Sequence, residues 1–252
     1  NNISEEGLNI FRSDGFHCGE DVTNPDAIIL RSFDMHDMDI SKDLKAIGRA
    51  GSGVNNIPIE KYTERAIPVF NAPGANSNAV KELVLASILI SARNIHSAIK
   101  YVESVKDSKD LKNDIEQGKK TYVGFELPTK TLGVIGLGQI GVKVANAAHD
   151  LGMNVIGYDP LITVDNAINL QPGVQNVEDL KELLNIADMI TIHIPHKKET
   201  ENFIGENEII QLKDGAIIIN LSREAIVDST AVLKALETSK IKTYVTDFPN
   251  EE

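Results

Sequence analysis

The chain has 252 residues, of which 42% are hydrophobic and 25% charged, so it is long enough for two modest α/β domains of ordinary globular composition. The formal net charge of −12 argues against nucleic acid or an anionic membrane as a partner, although backbone N–H groups can still bind small anions. Cys18 is the single cysteine, which excludes an intrachain disulfide and argues against a zinc site, so we expect no metal. No secretory signal is visible and the longest strongly apolar stretch, residues 83–92, is about half a membrane span, which together suggest the cytoplasm.

Residues 1–75 predict a small domain in which helices and strands alternate. A helix is expected over residues 1–12 with Ser4 as its N-cap, and a second, shorter helix over residues 58–65. Apolar runs predict strands at residues 27–30, 44–50 and 67–70. Such alternation is typical of a parallel sheet, and the turn-rich residues 71–76 mark the end of the domain.

Residues 77–101 have the periodicity of one long helix that is apolar nearly all round at residues 83–92. We expect this helix to be buried and to connect the two domains. Residues 100–120 are highly charged and poorly periodic. Two interpretations of them remain open: a solvated helix or loop, and an arm that reaches a second subunit.

The remainder of the chain predicts a doubly wound sheet. Strands are expected over residues 132–135, 155–158, 188–194, 215–221 and 243–247, and helices after the first strand and over residues 177–187, 202–212 and 229–239. The residues after Asp159 are expected to form a loop. The fold class is therefore α/β with two domains, residues 1–75 and 76–252, and ligands should bind beyond the carboxyl ends of the strands. A helix at the start and a strand at the end lead us to expect truncation at both ends, with a C-terminal strand and helix lacking from the second domain.

The strand at residues 131–135 runs directly into the pattern Gly136-x-Gly138-x-x-Gly141, and a helical pattern follows. In a dinucleotide-binding turn, Gly136 would permit the tight turn and Gly138 would let the backbone approach a pyrophosphate. Gly141 would let the helix pack on the strand, and the pyrophosphate would meet the free N–H groups of the helix N-terminus. The open alternative is a glycine-rich turn without a ligand.

Asp159 follows the next strand, eighteen residues after Gly141, where an acidic residue can bind the adenosine ribose. An NADP phosphate about 4 Å from this carboxylate would be repelled by roughly 4 kcal/mol at an effective dielectric constant near 20. No Arg or Lys follows Asp159 immediately. The sequence therefore predicts NAD rather than NADP, unless Asp159 is only a turn residue before Pro160.

Three further side chains follow predicted strands of the second domain. Arg223 could bind a carboxylate bidentately, or form a surface ion pair with Glu224 or Asp228. His193 and His196 could each be a catalytic base. We favour a position at the adenine end or in solvent for both, on the expectation that their strand neighbours the one that ends at Asp159.

In the first domain, Arg31 and Ser32 follow one strand, and the turn Gly51-Ser52-Gly53 follows the next. Both should face the same cleft, where the glycine-flanked turn could bind a carboxylate through backbone N–H groups. The alternative for this turn is an ordinary loop.

The chain resembles the NAD-dependent D-2-hydroxyacid dehydrogenases. The resemblance rests on stretches in family order over nearly the whole chain, at residues 30–32, 49–56, 71–74, 80–83, 133–141, 157–160, 221–223, 226–228 and 244–248. It implies a Rossmann-type NAD-binding domain with a smaller, flavodoxin-like substrate domain, and a homodimer or homotetramer.

The resemblance also implies roles for individual residues. NAD would be bound by Ser52, Gly136, Gly138, Gln139, Ile140, Gly141, Asp159, Ile194, Leu221, Ser222, Arg223 and Asp247. Substrate would be bound by Arg31, Ser32, Gly51, Ser52 and Gly53. Arg223 would be catalytic by holding the substrate carboxylate and carbonyl oxygen, and Arg31 would help to hold a substrate phosphate.

The acid–base pair of the resembled family is a His oriented by a Glu. An ungapped count from Arg223 favours Glu252 as that Glu, whereas a match through Phe248 favours Glu251; we choose Glu252. The His should follow some twenty residues later, at a position that this chain does not include. Glu224 departs from the glycine that many members have there, so we expect the loop and the fine substrate geometry to differ from theirs.

The implied function is NAD-dependent oxidation of a D-2-hydroxy acid by hydride transfer, with 3-phospho-D-glycerate as the expected substrate and 3-phosphohydroxypyruvate as the product, in serine biosynthesis. Without the His, we expect this stretch to be nearly inactive while still able to bind NAD. The alternatives are a dehydrogenase of the D-lactate or glyoxylate/hydroxypyruvate type and a non-enzymatic NAD-sensing protein on the same scaffold.

Overall fold

The structure is a computed structural model that describes residues 1–248 of the chain. The chain divides into two compact units, which we call the small unit, Asn1–Asn76, and the large unit, Ser77–Glu252. Each unit is built around a parallel sheet, which confirms the predicted α/β class.

The small unit contains helices α1 (Glu5–Ser13) and α2 (Ile59–Thr63) and strands β1 (Ala27–Leu30), β2 (Ala46–Arg49) and β3 (Val69–Asn71). The strands pair in the order β1-β2-β3. Ser4 caps α1 as predicted, because its hydroxyl accepts a hydrogen bond from the N–H of Gly7. The core includes Leu30, Ile47 and Tyr62, each at most 1% exposed.

The large unit begins with three helices, α3 (Ser77–Ala92), α4 (Ile95–Val105) and α5 (Leu111–Thr121). The alternating part follows: β4 (Thr131–Ile135), α6 (Gln139–Asp150), β5 (Asn154–Tyr158), α7 (Val164–Ile168), β6 (Gln175–Val177), α8 (Leu180–Ile186), β7 (Met189–Ile192), α9 (Glu206–Ile209), β8 (Ala216–Asn220), α10 (Ser229–Glu237) and β9 (Ile241–Thr246).

The six strands of the large unit form one parallel sheet in the order β6-β5-β4-β7-β8-β9. Alternate residues of each strand point to opposite faces of the sheet. Ile135, for example, packs on the face that α8, α9 and α10 cover, whereas Val134 packs with α3 and α6 on the other face. The strands are therefore apolar on both sides, as expected for a parallel sheet covered by helices.

The single helix predicted over residues 77–101 is wrong, since α3 and α4 are separate helices bent by 57°. Asn94 adopts a left-handed backbone with φ 52°, and its amide donates to the carbonyl of Val123 at 2.9 Å. The N–H of Phe125 donates to the carbonyl of Ala92 at 3.0 Å. The returning segment thus satisfies polar groups at the break, and a periodicity count of residues 77–101 contains no trace of these contacts.

Three other predicted elements differ from the structure. The helix expected over residues 177–187 is present but shorter, as α8, which Asp179 caps by accepting from the N–H of Lys181 at 2.9 Å; the short edge strand β6 before it was not predicted. The loop expected after Asp159 contains α7, capped by Thr163. The helix expected over residues 202–212 shortens to α9, and before it Asn202 is left-handed with φ 49° and Ile204 forms a β-bridge with Val227. Residues 100–120 contribute the end of α4 and most of α5.

Asp188 joins several strands at the amino edge of the large sheet. Its carboxylate accepts from the N–H of Thr131 at 2.9 Å, where β4 begins. It also lies 3.7 Å from the Nζ of Lys130 and 3.3 Å from the Nζ of Lys213, which precedes β8. We call this group the Asp188 cluster.

Among residues 1–248, no single helix has the length and hydropathy of a membrane span, and only α3 and α4 taken together reach them, across their bend.

Candidate functional site

The predicted ligand residues of the large unit follow neighbouring strands at the carboxyl edge of the sheet. Asp159 follows β5, Gly136 follows β4, Ile194 follows β7, Arg223 follows β8 and Asp247 follows β9. These strands are adjacent in that order. Three strand spacings of about 4.8 Å separate the ends of β5 and β8, so an extended ligand of roughly 14 Å can run along the edge.

The backbone conformation and the free space at the three glycines of the turn agree with the local role predicted for each of them. Gly136 has a φ of +92°, and a Cβ there would lie 2.7 Å from the carbonyl oxygen of His193. A Cβ on Gly141 would lie only 1.8 Å from the carbonyl oxygen of Gly136. A Cβ on Gly138 would meet nothing within 4 Å. Two glycines are therefore required by the protein itself, whereas Gly138 leaves open space beside the backbone.

Helix α6 begins directly after this turn at Gln139, with Ile140 in its first turn. Its N-cap, Gly138, provides no side-chain hydrogen bond. The first-turn N–H groups are thus left without a side-chain acceptor, and the helix dipole adds partial positive charge at the same place. A helix N-terminus with these properties can bind an anion, which is what the predicted pyrophosphate contact requires.

Asp159 supports the glycine turn directly. One carboxylate oxygen accepts from the N–H of Leu137 at 2.9 Å, and the other accepts from the N–H of Leu161 at 2.9 Å. A carboxylate has about four lone-pair positions, so acceptor capacity remains for ribose hydroxyls. Asp159 therefore holds the turn and remains suited to the predicted ribose contact.

His193 and Ile194 form the other wall of the glycine turn. The N–H of His193 donates to the carbonyl of Ile135 at 2.7 Å, and its Nε2 lies 3.0 Å from the Oγ1 of the fully buried Thr191. Burial lowers the pKa of His193 from its ordinary 6.5 to about 4, so the ring is neutral at neutral pH. Ile194 lies 2.8 Å from the position of a Cβ on Gly136.

The predicted neighbour of the strand that precedes His193 and His196 is wrong, although His196 is exposed, as the favoured interpretation allows. We expected this strand to lie beside the strand that ends at Asp159. Strand β7 instead pairs with β4 and β8, so these histidines follow a strand between the glycine turn and Arg223.

Arg223 is exposed, and its Nη1 donates to the carbonyl of Ser222 at 2.6 Å. Within residues 1–248 it forms no ion pair with Glu224 or Asp228. The carboxylate of Asp228 instead caps α10 by accepting from the N–H of Ala231. Most of the guanidinium donors thus remain available to a ligand.

Asn220 is a positioning residue that the sequence reasoning did not identify. It is fully buried at the end of β8; its Oδ1 accepts from the N–H of Ser222 at 3.1 Å, and its Nδ2 donates to the carbonyl of Arg223 at 2.9 Å. The signal was present, because Asn220 is a polar residue that closes an otherwise apolar strand. Asn220 therefore holds the backbone of residues 221–223.

A shallow, open cavity of about 490 Å³ lies at the surface beside this loop, and we call it the Arg223 cavity. It is lined by His196, Asn202, Arg223, Glu224, Ala225, Val227, Ser229 and Phe248. Asp247 is exposed next to Phe248, after β9. Glu251 and Glu252, the alternative carboxylates of the predicted acid–base pair, lie outside the described residues.

In the small unit, the two predicted substrate loops follow the adjacent strands β1 and β2. Arg31 and Ser32 are exposed, and the N–H of Ser32 donates to the side chain of Asn1 at 3.1 Å. The turn at residues 51–53 is fixed by Asn71, whose Nδ2 donates to the carbonyl of Ser52 at 2.8 Å.

Arg49, at the end of β2, is a second candidate that sequence reasoning did not assign. Its Nε is buried and has no hydrogen-bond partner within residues 1–248. A Cβ on Gly51, whose φ is +152°, would collide with this guanidinium. A buried donor without an acceptor is costly, and an anionic ligand would remove that cost. No group of three or more His, Cys, Asp or Glu in the described part of the chain is placed to hold a metal ion.

Comparison with known proteins gives a family match. The family described as "D-isomer specific 2-hydroxyacid dehydrogenase, NAD binding domain" matches residues 85–252. A D-3-phosphoglycerate dehydrogenase of Methanocaldococcus jannaschii is 41% identical over 92% of this chain and 43% of its own length. One from Archaeoglobus fulgidus is 37% identical over 99% of this chain and 48% of its own length. The chain spans about half the length of the curated relatives it matches.

Solved structures agree with these matches. The D-lactate dehydrogenase of Aquifex aeolicus, complexed with NAD and lactic acid, superposes with a TM-score of 0.73 at 28% identity. The similarity covers 90% of this chain and 65% of that one.

Proposed function

The chain belongs to the D-isomer specific 2-hydroxyacid dehydrogenase family through its NAD-binding domain, and on that basis we propose that it oxidises a D-2-hydroxy acid with NAD. The observation that carries the proposal is the order of residues along the carboxyl edge of the large sheet. Asp159 and the glycine turn follow the adjacent strands β5 and β4, and Arg223 follows β8, two strand spacings farther along the same edge. The proposed nucleotide site and the guanidinium proposed to bind the carboxylate therefore lie at one edge of the sheet.

The nucleotide end of the proposal rests on three contacts. Gly138 leaves room for a pyrophosphate at the uncapped N-terminus of α6, with Gln139 and Ile140 as N–H donors. Asp159 has acceptor capacity for the adenosine ribose, and its charge disfavours the extra phosphate of NADP. Ile194 provides an apolar side chain beside Gly136.

The bound NAD supplies the acceptor for the hydride that leaves C2 of the hydroxy acid. Arg223 orients the substrate by binding its carboxylate through two parallel N–H donors. The same positive charge stabilises the partial negative charge on the C2 oxygen as it becomes a carbonyl. Asn220 would position Arg223, because its Nδ2 donates to the carbonyl of Arg223. Leu221, Ser222 and Asp247 would contact the nicotinamide end, and Glu252 would orient the His that accepts the hydroxyl proton.

A phosphorylated substrate is the narrower form of the proposal. Arg31 follows β1 and Arg49 ends β2, so both arginines belong to the carboxyl edge of the small sheet, where Ser32 and the turn at Gly51 also lie. Two guanidinium groups suit a phosphate better than they suit a small acid with an uncharged tail. We propose 3-phospho-D-glycerate as the substrate, with Ser52 and Gly53 contributing to its binding. That reaction would belong to serine biosynthesis in the cytoplasm, performed by a homodimer or homotetramer.

The test is an NADH absorbance assay on the full-length protein. We expect NAD reduction with 3-phospho-D-glycerate, and slower reduction with D-lactate and D-glycerate. Arg31→Ala should lower kcat/KM for phosphoglycerate by about 10-fold or more while changing D-lactate by less than about twofold. Equal losses would contradict phosphate recognition. NAD binding without turnover of any of the three acids would favour a non-enzymatic NAD sensor instead.

A further inference from the structure

One wall of the Arg223 cavity is a histidine that has no role in the proposed reaction. His196 lines this cavity together with Arg223, Asn202 and Glu224. It stands on the loop after β7, whereas Arg223 stands on the loop after the neighbouring strand β8.

The turn that carries His196 is held by one hydroxyl group. The Oγ1 of Thr200 accepts from the N–H of Lys197 at 2.7 Å and lies 2.8 Å from the carbonyl of Pro195, to which it donates. The N–H of Thr200 also donates to the carbonyl of Lys197 at 3.0 Å. The backbone on both sides of His196 is therefore fixed.

The same loop is joined to the Arg223 loop by three backbone hydrogen bonds. The N–H of Asn202 donates to Ala225 at 2.8 Å, and the N–H of Ile204 donates to Ile226 at 3.1 Å. In return, the N–H of Asp228 donates to Ile204 at 3.0 Å. These hydrogen bonds join the backbones on the two sides of the cavity, which favours a pre-organised binding site.

The cavity offers more hydrogen-bond donors than a substrate carboxylate can use. Arg223 uses one of its five N–H groups on the carbonyl of Ser222. Within residues 1–248, neither the imidazole of His196 nor the amide of Asn202 has a side-chain hydrogen-bond partner. An imidazole carries at least one N–H in either protonation state. A molecule held by its carboxylate on Arg223 would thus meet a further donor along its length.

We propose that His196 is a specificity-determining residue, which donates a hydrogen bond to an oxygen on C3 of the 2-hydroxy acid. The inference rests on the proposed function, in which Arg223 holds the carboxylate. An acid with a hydroxyl or phosphate ester on C3 gains this bond, whereas an acid with a methyl group there does not. His196 therefore selects substrates with an oxygen on C3.

The experiment compares reduction of hydroxypyruvate and pyruvate by NADH in the full-length protein. His196→Leu keeps a side chain of similar reach without the donor, and Lys198→Gln on the same turn is the matched control. We expect His196→Leu to lower kcat/KM for hydroxypyruvate by about 3- to 10-fold through KM, with pyruvate changed by less than twofold. Lys198→Gln should leave both values within twofold. Equal losses for the two acids, or no loss for hydroxypyruvate, would overturn the inference.

Isothermal titration separates this inference from the proposed function. If the wild-type protein reduces neither acid, the proposed function fails, and direct binding of the two acids decides on His196. Tighter binding of hydroxypyruvate by the wild type than by His196→Leu, with equal pyruvate binding, supports the inference; absence of that difference overturns it. Since His196 is exposed, both variants should unfold within about 2 °C of the wild type.

Discussion

Asp159 accepts a hydrogen bond from the backbone N–H of Leu137 at 2.9 Å, so the carboxylate proposed for the ribose also holds the middle of the glycine turn. A substitution of Asp159 can therefore affect nucleotide preference and the stability of the turn separately. Removing the charge relieves repulsion of NADP, whereas removing the oxygen atoms loosens the turn.

We therefore expect Asp159→Asn to reduce the preference for NAD over NADP by about 10-fold or more, because a repulsion of up to roughly 4 kcal/mol is relieved. One acceptor oxygen remains for Leu137, so the melting temperature should fall less than in Asp159→Ala. Fluorescence titration with both nucleotides measures the preference. Equal affinity of the wild type for NAD and NADP would contradict the role of Asp159.

The glycine turn offers a matched pair of alanine substitutions. Gly138→Ala should leave the melting temperature within about 2 °C, because the new Cβ meets nothing within 4 Å. It should still weaken NAD binding by about 10-fold, since the methyl group would occupy the space proposed for the pyrophosphate. Gly141→Ala should instead destabilise the protein by about 1–3 kcal/mol or more, because the Cβ meets a backbone oxygen at 1.8 Å.

Thermal unfolding and NAD titration on both variants provide the measurement. If Gly138→Ala bound NAD as tightly as the wild type, the pyrophosphate would not lie against this turn.

Arg223→Ala should lower kcat/KM by about 100-fold or more, because a charge-assisted pair of hydrogen bonds to the carboxylate is lost. The affinity for NAD should change by less than about threefold. Stability should change by less than about 1 kcal/mol, because the exposed guanidinium makes one described hydrogen bond. Arg223→Lys keeps the charge without the paired donors and should be intermediate. Steady-state kinetics with 3-phospho-D-glycerate are the measurement, and unchanged kcat/KM in Arg223→Ala would remove Arg223 from the site.

His193 predicts a pH dependence of stability. Its pKa is about 4 in the folded protein and 6.5 ordinarily, so the unfolded chain binds more protons between these values. The contribution of His193 to the free energy of unfolding is constant above about pH 6.5. It is lost as the pH falls toward 4, and the total loss is about 3 kcal/mol. His193→Asn should remove this component. Urea denaturation of both proteins from pH 7 to pH 4 measures it, and parallel curves would show that His193 does not contribute.

Local patterns in the sequence predicted the turn between β4 and α6 because a strand, three glycines and a helix are consecutive in the chain. The spacing to Asp159 was informative for the same reason, since β5 is the next strand. The order of more distant strands is not a local property. The position of β7 between β4 and β8, which brings His196 to Arg223, depends on pairing that no short pattern reports.

The break at Asn94 and the position of Asn220 were missed for a related reason. Asn94 is stabilised by Val123, and Asn220 by the backbone of Arg223, so each depends on a hydrogen bond rather than on periodicity. An asparagine within an apolar helix or at the end of an apolar strand is a signal that such a partner exists. The partner itself becomes visible only in three dimensions.

The Asp188 cluster holds the strands in place independently of the residues proposed to bind ligands. One carboxylate fastens the starts of β4 and β7 and the residues that precede β8, at the end of the sheet remote from the ligand loops. Strand alignment is therefore anchored where chemistry does not occur. New selectivity can arise by exchanging side chains such as His196 at the opposite rim without disturbing how the strands line up.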